Sequence, residues 1–421
     1  MRLKRNEAAR YFVAIFVMVT CALTAEACTS AIISGKLTKD GRPLMWKNRD
    51  TGNLDNCVRH MKGEKYDFIA VTGYGSNPRS VWIGTNSAGF SILNTLSYNL
   101  SDPDKNERVS TRNGALMKRA LEICGSVEDF RNYLDTLSKP MKVEANYGVI
   151  DALGNGAYFE VDNYRYTMFD VNDSVVAPHG YLVRTNFSFT GLHDKGGGYV
   201  RYQEAERKIF EESATHAITP GWIIGNLSRN FSNPLMGIDL RSGDFNKPKT
   251  NGWFVEQDFI ARRSTSCAAV IHGVKPGEDP SFTTMWTVIG YPPVTPAIPV
   301  WVTGADSKLP RLLSTPYPDG RVMSPLCGGA SALRDMVYNY RRGSLTENYF
   351  NWEKLHNNKG DGYMQLNAMI EDELYSRIHM ALVSSRKGKT LSPEIVFRIY
   401  DEVDACVTEL YGRHFGIDLQ E

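Results

Sequence analysis

The 421-residue sequence lacks the spacings on which metal and disulfide scaffolds are built. Its seven cysteines contain no Cys-x-x-C pair and its eight histidines no His-x-x-x-His, which argues against a zinc knuckle, a zinc-dependent hydrolase or a disulfide-dense domain. An excess of charge of one sign is missing as well. Lys and Arg number 48 against 47 Asp and Glu, so the chain carries no electrostatic footprint for nucleic acid or for an anionic membrane. No stretch reaches the roughly 18 uninterrupted apolar residues of a membrane span. Repeats and low-complexity tracts are absent too. The lone glycine cluster Lys195-Gly196-Gly197-Gly198 has no following Gly-Lys-Ser/Thr and reads as a flexible loop, not a phosphate cradle. No cofactor is expected.

What is present is a leader with a cysteine after it. Residues 1–27 have a basic start (Arg2, Lys4, Arg5, Arg10), an apolar run from Tyr11 to Leu23 and the ending Ala25-Glu26-Ala27. That is the pattern of a cleaved secretory signal peptide. A secreted or periplasmic protein beginning at Cys28 is expected. A lipid-anchored binding protein is the competing reading, since bacterial lipoproteins are acylated at such a cysteine. A lipoprotein signal carries Leu three residues before the cysteine and a small residue directly between, however, and here Ala25 and Glu26 stand nearby instead. Residues 28–421 are taken as one catalytic domain, of which about 328–421 is a helical extension. Its amphipathic helices leave a homo-oligomer open. The remaining thiols read mainly as small buried residues, with one or two bridges possible in an oxidising compartment.

Strands are expected at Thr29–Ser34 and Pro43–Asn48 around the turn Lys39-Asp40-Gly41-Arg42, then at Asp67–Thr72, Ser80–Gly84 and Gly89–Leu96. Helices follow at Asn113–Cys124 and Val127–Leu137. Four more strands cover Asn146–Asp151, Gly156–Asp162, Arg165–Val171 and Tyr181–Thr185. Helices at Tyr202–Glu212 and Gly221–Asn230 precede strands at Cys267–His272, Thr283–Ile289 and Pro299–Val302. Two long helices close the chain, the second opened by Ser392-Pro393. This order is that of a layered α+β fold, not of alternating βαβ units.

An N-terminal cysteine carries its own base. An α-amino group titrates at about 7.7–8.0, so part of it is free at neutral pH, next to its own sulfur. Neither His179 nor His272 stands in a Cys–His protease context. Such a catalyst needs a group to hold the amine and donors for the oxyanion. Antiparallel pairing returns the end of the second strand, Trp46-Lys47-Asn48-Arg49-Asp50, to Cys28, which makes Asp50 the expected orienting carboxylate.

Cys28-Thr29-Ser30 followed by Lys47-Asn48-Arg49-Asp50 resembles the opening of N-terminal nucleophile hydrolases, in particular the acyl-CoA:6-aminopenicillanic acid acyltransferase-like cysteine family, related to choloylglycine hydrolases and penicillin V acylases. Two later stretches extend the resemblance. Trp82 to Asn94 is similar to the hairpin ending in an oxyanion-hole asparagine, and Tyr181 to Phe187 to the strand ending in a second active-site asparagine. The resemblance spans about Cys28 to Val302. It implies a four-layer αββα sandwich of two stacked antiparallel sheets. It also implies amide hydrolysis or acyl transfer on a small amide through a thioester on Cys28, with Asn94 and Asn186 stabilising the oxyanion and Lys47 assisting Asp50 or touching substrate. Bile salt hydrolases have arginine where this chain has Lys47, and their later arginine corresponds only loosely to Arg262 or Arg263, which argues against bile salts. A cysteine dipeptidase of the same general fold is the alternative enzyme.

Overall fold

The computed structural model describes residues 27–75, 78–101, 112–242, 252–340, 349–389 and 391–420. The expected leader therefore lies outside the described residues, except for Ala27. In chain order the main elements are β1 (Ala27–Ile33), β2 (Leu44–Asp50), β3 (Asn56–Met61), β4 (Phe68–Gly73), β5 (Ile83–Asn86), β6 (Ser91–Leu96), α1 (Asn113–Ile123), α2 (Val127–Thr136), β7 (Ala145–Ile150), β8 (Gly156–Val161), β9 (Tyr166–Asp170), β10 (Tyr181–Arg184) and α3 (Tyr199–Ser213). They continue with β11 (Thr265–His272), β12 (Thr284–Ile289), β13 (Ile298–Val300), α4 (Pro325–Val337), α5 (Tyr363–Gly388) and α6 (Pro393–Phe415).

Two antiparallel sheets result. The six-stranded sheet runs β10-β1-β2-β11-β12-β13, and the seven-stranded sheet is a meander from β3 to β9. Period-two alternation gives each strand two apolar faces, which is what a strand buried on both sides requires. On the inner faces Ile32, Met45, Ala269 and Ile271 meet Val58, Ile69, Ile83 and Leu93 in one core. Ser30 and Tyr158 join the two sheets by a 2.7 Å hydrogen bond between hydroxyls. On the outside of the six-stranded sheet, Ala31, Ile33, Trp46 and Val183 pack under Ala205 and Ile209 of α3. On the outside of the other, Phe68, Phe90, Tyr147 and Phe159 pack under Leu116 and Met117 of α1 and Phe130 of α2. Helix, sheet, sheet, helix is thus the layering, each buried large side chain contributing about 1.5–3 kcal/mol.

The hairpin turn between β1 and β2 needs Gly41, whose φ of +76° admits no other residue without strain. The C-terminal helices are not an appendage. Leu374, Ile378, Val396, Val403 and Tyr400 belong to the same core as Ile32 and Met45. A short strand at Tyr349–Asn351 pairs with Trp253–Val255. That pair escaped the sequence reading, as did two of the main elements. β3, with the sequence NCVRHM, has too little alternation to stand out. α4 carries Gly328-Gly329, poor helix formers, but is started by Ser324, whose side chain accepts from the Cys327 amide, and by Pro325 at the first position. Conversely, the helix expected over Gly221–Asn230 is a single turn at Pro220–Ile223 followed by a wider turn to Ser228.

Candidate active site

Cys28 stands second on β1, where β2 pairs along one edge from Ala27 onward while β10 pairs along the other only from Ser30 onward, so that edge of Cys28 is met by side chains. Directly across from it on β2 is Arg49, and across from Arg49 on β11 is Cys267. Directly opposed residues share a face, and Ser30, two residues on, reaches Tyr158 of the other sheet. The Cys28 thiol therefore lies on the inter-sheet face, and the residue is 5 % exposed. Beside it on that face, the guanidinium of Arg49 sits 4.1 Å over the Trp82 ring. Lys47 donates to Trp82 O and to Asn94 Oδ1, both at 2.9 Å. With its oxygen taken by an ammonium, Asn94 is left with its Nδ2 hydrogens as the outward donor.

The backbone nitrogen of Cys28 donates to Asn186 Oδ1 at 2.9 Å. That oxygen also accepts from Arg201 Nη2 at 2.9 Å, while Asn186 Nδ2 donates to Leu96 O at 2.8 Å. Two donors on one side and a carbonyl on the other fix which end of the amide is oxygen. Asn186 was expected as an oxyanion donor; here one Nδ2 hydrogen goes to Leu96 O and its oxygen holds the Cys28 nitrogen.

Asp50 is the carboxylate expected to orient the amine. In the register of β1 and β2 it faces Ala27, not Cys28, and alternation turns its side chain to the face opposite that of Arg49. There Oδ2 accepts from Arg262 Nε at 2.8 Å and Nη2 at 2.5 Å, and Oδ1 accepts from Thr265 Oγ1 at 2.6 Å. Of the two arginines Arg262 and Arg263, it is Arg262 that meets Asp50. Arg262 also donates to Asp258 Oδ1 at 2.6 Å.

The residue that closes this network escaped the sequence reading. Arg201, in the first turn of α3, donates to Cys28 O at 2.6 Å, to Thr29 Oγ1 at 2.9 Å and, through Nε, to Asp258 Oδ1 at 3.0 Å, besides Asn186. Its one sequence signal is the glycine cluster before it. A Cβ on Gly198, whose φ is +78°, would lie 2.3 Å from Arg201 Nη2, so the cluster is the seat of a buried guanidinium and not a flexible loop. Burial lowers the pKa of Arg201, as does the charge of Arg262, with Asp258 and Asp50 pulling back. Burial works against Arg262 too, but Asp50 and Asp258 outweigh it and raise its pKa. Behind Arg262 lies Glu256, pushed up to about 7 chiefly by burial, although Tyr338, the Arg263 amide and Arg262 favour its charge. No cluster of three or more His, Cys, Asp or Glu among the described residues is placed to hold a metal.

The arrangement thus has two faces. Cys28, Lys47, Arg49 and Asn94 meet between the sheets. Asn186, Arg201, Asp258, Arg262, Asp50 and Thr265 form a continuous polar chain around the backbone of Ala27 and Cys28. Neither His179 nor His272 joins it: His272 pairs with Asp40 at 2.9 Å, and the His179 ring packs 5.0 Å from Phe210.

No family model and no curated protein matches the chain. Solved structures do. They include a conjugated bile acid hydrolase, an N-acylethanolamine-hydrolyzing acid amidase ortholog and a penicillin V acylase. The N-acylethanolamine-hydrolyzing acid amidase ortholog of Caenorhabditis elegans is similar at TM-score 0.33 and 17% identity over 46% of this chain and 86% of its own. Penicillin V acylase from Agrobacterium tumefaciens is similar at TM-score 0.33 and 13% identity over 65% and 86%. For a variant of conjugated bile acid hydrolase from Clostridium perfringens the values are 0.28 and 17% over 39% and 54%, so the match spans about half of that protein. At these values the functional reading rests on the site itself.

Among the described residues no helix is long and apolar enough to cross a membrane.

Proposed function

We propose that the chain is a secreted hydrolase of small amides whose nucleophile is the thiol of Cys28 and whose base is the amine released when residues 1–27 are removed. The observation that carries this reading is the 2.9 Å hydrogen bond from the Cys28 nitrogen to Asn186 Oδ1. It puts the nitrogen that becomes the amine in a fixed, buried position before it is ever released. On cleavage the nitrogen keeps that bond, and its lone pair, no longer delocalised into a carbonyl, takes the proton of its own thiol. The sulfur attacks the amide carbonyl, and Asn94 Nδ2, with the cations Lys47 and Arg49 behind it, receives the charge on oxygen. The amine group returns the proton to the leaving nitrogen as the C–N bond breaks. A thioester remains, and water opens it to the acid; an acceptor amine in place of water makes the enzyme an acyltransferase.

Arg201 and Asp50 act without touching substrate. Arg201 holds the Cys28 carbonyl and Asn186 together, and Asp50 anchors Arg262, which pins Asp258 and through it Arg201. Removal of Ala27 also empties the place opposite Asp50 next to the new amine. The test is mass spectrometry of the secreted protein's N-terminus together with hydrolysis of an N-acyl amide panel. An N-terminus at an unmodified Cys28, with activity lost in Cys28→Ala, is the expected result. A start elsewhere, an acylated amine or an active Cys28→Ala protein overturns it. Release of amino acids from dipeptides with N-acyl amides left intact would instead favour a dipeptidase.

A further inference from the structure

A cavity of about 260 Å³ opens at the free edge of the six-stranded sheet, along β10. Its walls are the rings of Phe169, Tyr181, Phe189 and Tyr202, and Glu206 of α3 lies in its lining. It is separate from the nucleophile. Leu182, in its lining, pairs with Ile32, four residues along β1 from Cys28, or roughly 13 Å. The volume falls just below the usual range of small-molecule sites, about 300 Å³ upward, which suits a compact ligand.

The charges lining the cavity are unequal in how far they are already spent. Arg184 is already paired: Nε donates to the buried Glu160 at 2.8 Å and Nη1 to Val183 O at 2.9 Å. Its guanidinium carbon also lies 4.8 Å from the Phe169 ring centre and 4.6 Å from that of Phe189. Glu206 is different. Its Oε1 accepts from the Tyr181 hydroxyl at 3.0 Å, and among the described residues no cation comes within ion-pair distance of it. Burial raises its carboxyl pKa, with the Tyr181 hydroxyl, His179 and Arg184 pulling the other way. A half-buried carboxylate without a cation is costly, and the Tyr202 ring, over which no Arg184 contact falls, attracts cations in its own right. His179, stacked on Tyr181, is exposed and stands at the rim.

We propose that this cavity binds a small organic ammonium ion, its charge against Glu206 and its alkyl part against the rings of Tyr202, Phe189 and Phe169. The site is independent of the reaction assigned to Cys28. Isothermal titration calorimetry of the mature protein with n-butylammonium chloride, with n-butanol as the uncharged comparison, tests it. Saturable binding of the amine at one site is expected, with n-butanol at least tenfold weaker. Glu206→Gln, which keeps an oxygen for Tyr181, should weaken the amine at least tenfold, and Tyr202→Leu should weaken it while leaving the Cys28-dependent activity in place. Cys28→Ala should bind it unchanged, which separates this site from the nucleophile. No saturable binding of the amine, equal affinity for n-butanol, or an undiminished Glu206→Gln variant overturns the proposal.

Discussion

Replacing Arg201 by lysine isolates what the buried guanidinium does. The side chain is almost fully buried and its donors reach Cys28 O, Thr29 Oγ1, Asn186 Oδ1 and Asp258 Oδ1. Lysine keeps the positive charge, so Asp258, still held by Arg262, is not stranded. A single ammonium cannot reproduce the planar fork, however, and at least one of the bonds to Cys28 O and Asn186 is lost. Loss of one hydrogen bond to a charged donor costs about 1.5–3 kcal/mol, less than the roughly 3–5 kcal/mol expected when a buried ion pair loses one partner outright, as in Arg201→Leu. The effect on rate should be larger than the effect on stability suggests. Asn186 then has one restraint fewer on the oxygen that orients the Cys28 nitrogen, and a misplacement of about 1 Å at a reacting group costs on the order of a hundredfold. Arg201→Lys should therefore melt only a few degrees lower, keep KM for its amide substrate and lose about two orders of magnitude in kcat. Thermal unfolding followed alongside steady-state kinetics separates the two effects. A variant with wild-type kcat refutes the positioning role, and one whose kcat falls only in proportion to the folded fraction reduces Arg201 to a structural residue.

Cys28→Ser and Cys28→Ala should each abolish turnover and labelling by thiol-directed inactivators, read by activity and intact-mass measurement. Asp50→Asn removes the charge that anchors Arg262 and should lower kcat more than it raises KM, a split that steady-state kinetics resolves. Gly198→Ala places a methyl 2.3 Å from Arg201 Nη2 at a positive φ, and should destabilise the fold by roughly 1–3 kcal/mol with loss of activity, both visible in one melting and rate experiment. Glu256 has a folded pKa raised from 4.5 to about 7, so the folded state holds a proton that the unfolded chain releases. Its contribution is fully present below about 4.5, declines as pH rises and is gone above about 7. The difference in unfolding free energy between wild type and Glu256→Gln should thus change by roughly 3 kcal/mol across that window, and a flat difference in denaturant titrations would refute the assignment.

The layered fold was legible because period-two and helical apolar patterns are properties of short windows, and nearly every strand from β4 to β10 lies within a few residues of where alternation puts it. The site was legible only in part. Cys28, Lys47, Asp50, Asn94 and Asn186 were named from sequence order and hairpin pairing, and the structure puts Cys28, Lys47 and Asn94 between the sheets, with Asp50 and Asn186 in the polar chain around the backbone of Ala27 and Cys28. Their division of labour was hidden, since it depends on register. A shift of one residue between β1 and β2 decides whether Arg49 or Asp50 faces Cys28. Arg201 was invisible for a different reason: it comes from a helix more than 170 positions along the chain, and an arginine near a helix start looks like any surface charge until the glycines before it are seen to make room for it.

The same register explains why the site can be complete before it is active. With Ala27 attached, the Cys28 nitrogen is an amide: it has one hydrogen, which Asn186 takes, and no basic lone pair to receive the thiol proton. On the proposed reading, cleavage after Ala27 changes the chemistry of that nitrogen without requiring it to move, because the restraints on it, Asn186 and Arg201, come from the segment after β10 and from α3, not from the removed segment. Activation is, on that reading, the breaking of one peptide bond in a site already built. Activity should then rise in strict proportion to the fraction of chains beginning at Cys28 when precursor and mature protein are mixed or followed in time, with no lag after cleavage. A lag, or a precursor that turns over substrate with Ala27 still attached, would mean that the base is some other group and that the hydrogen bond to Asn186 is only structural.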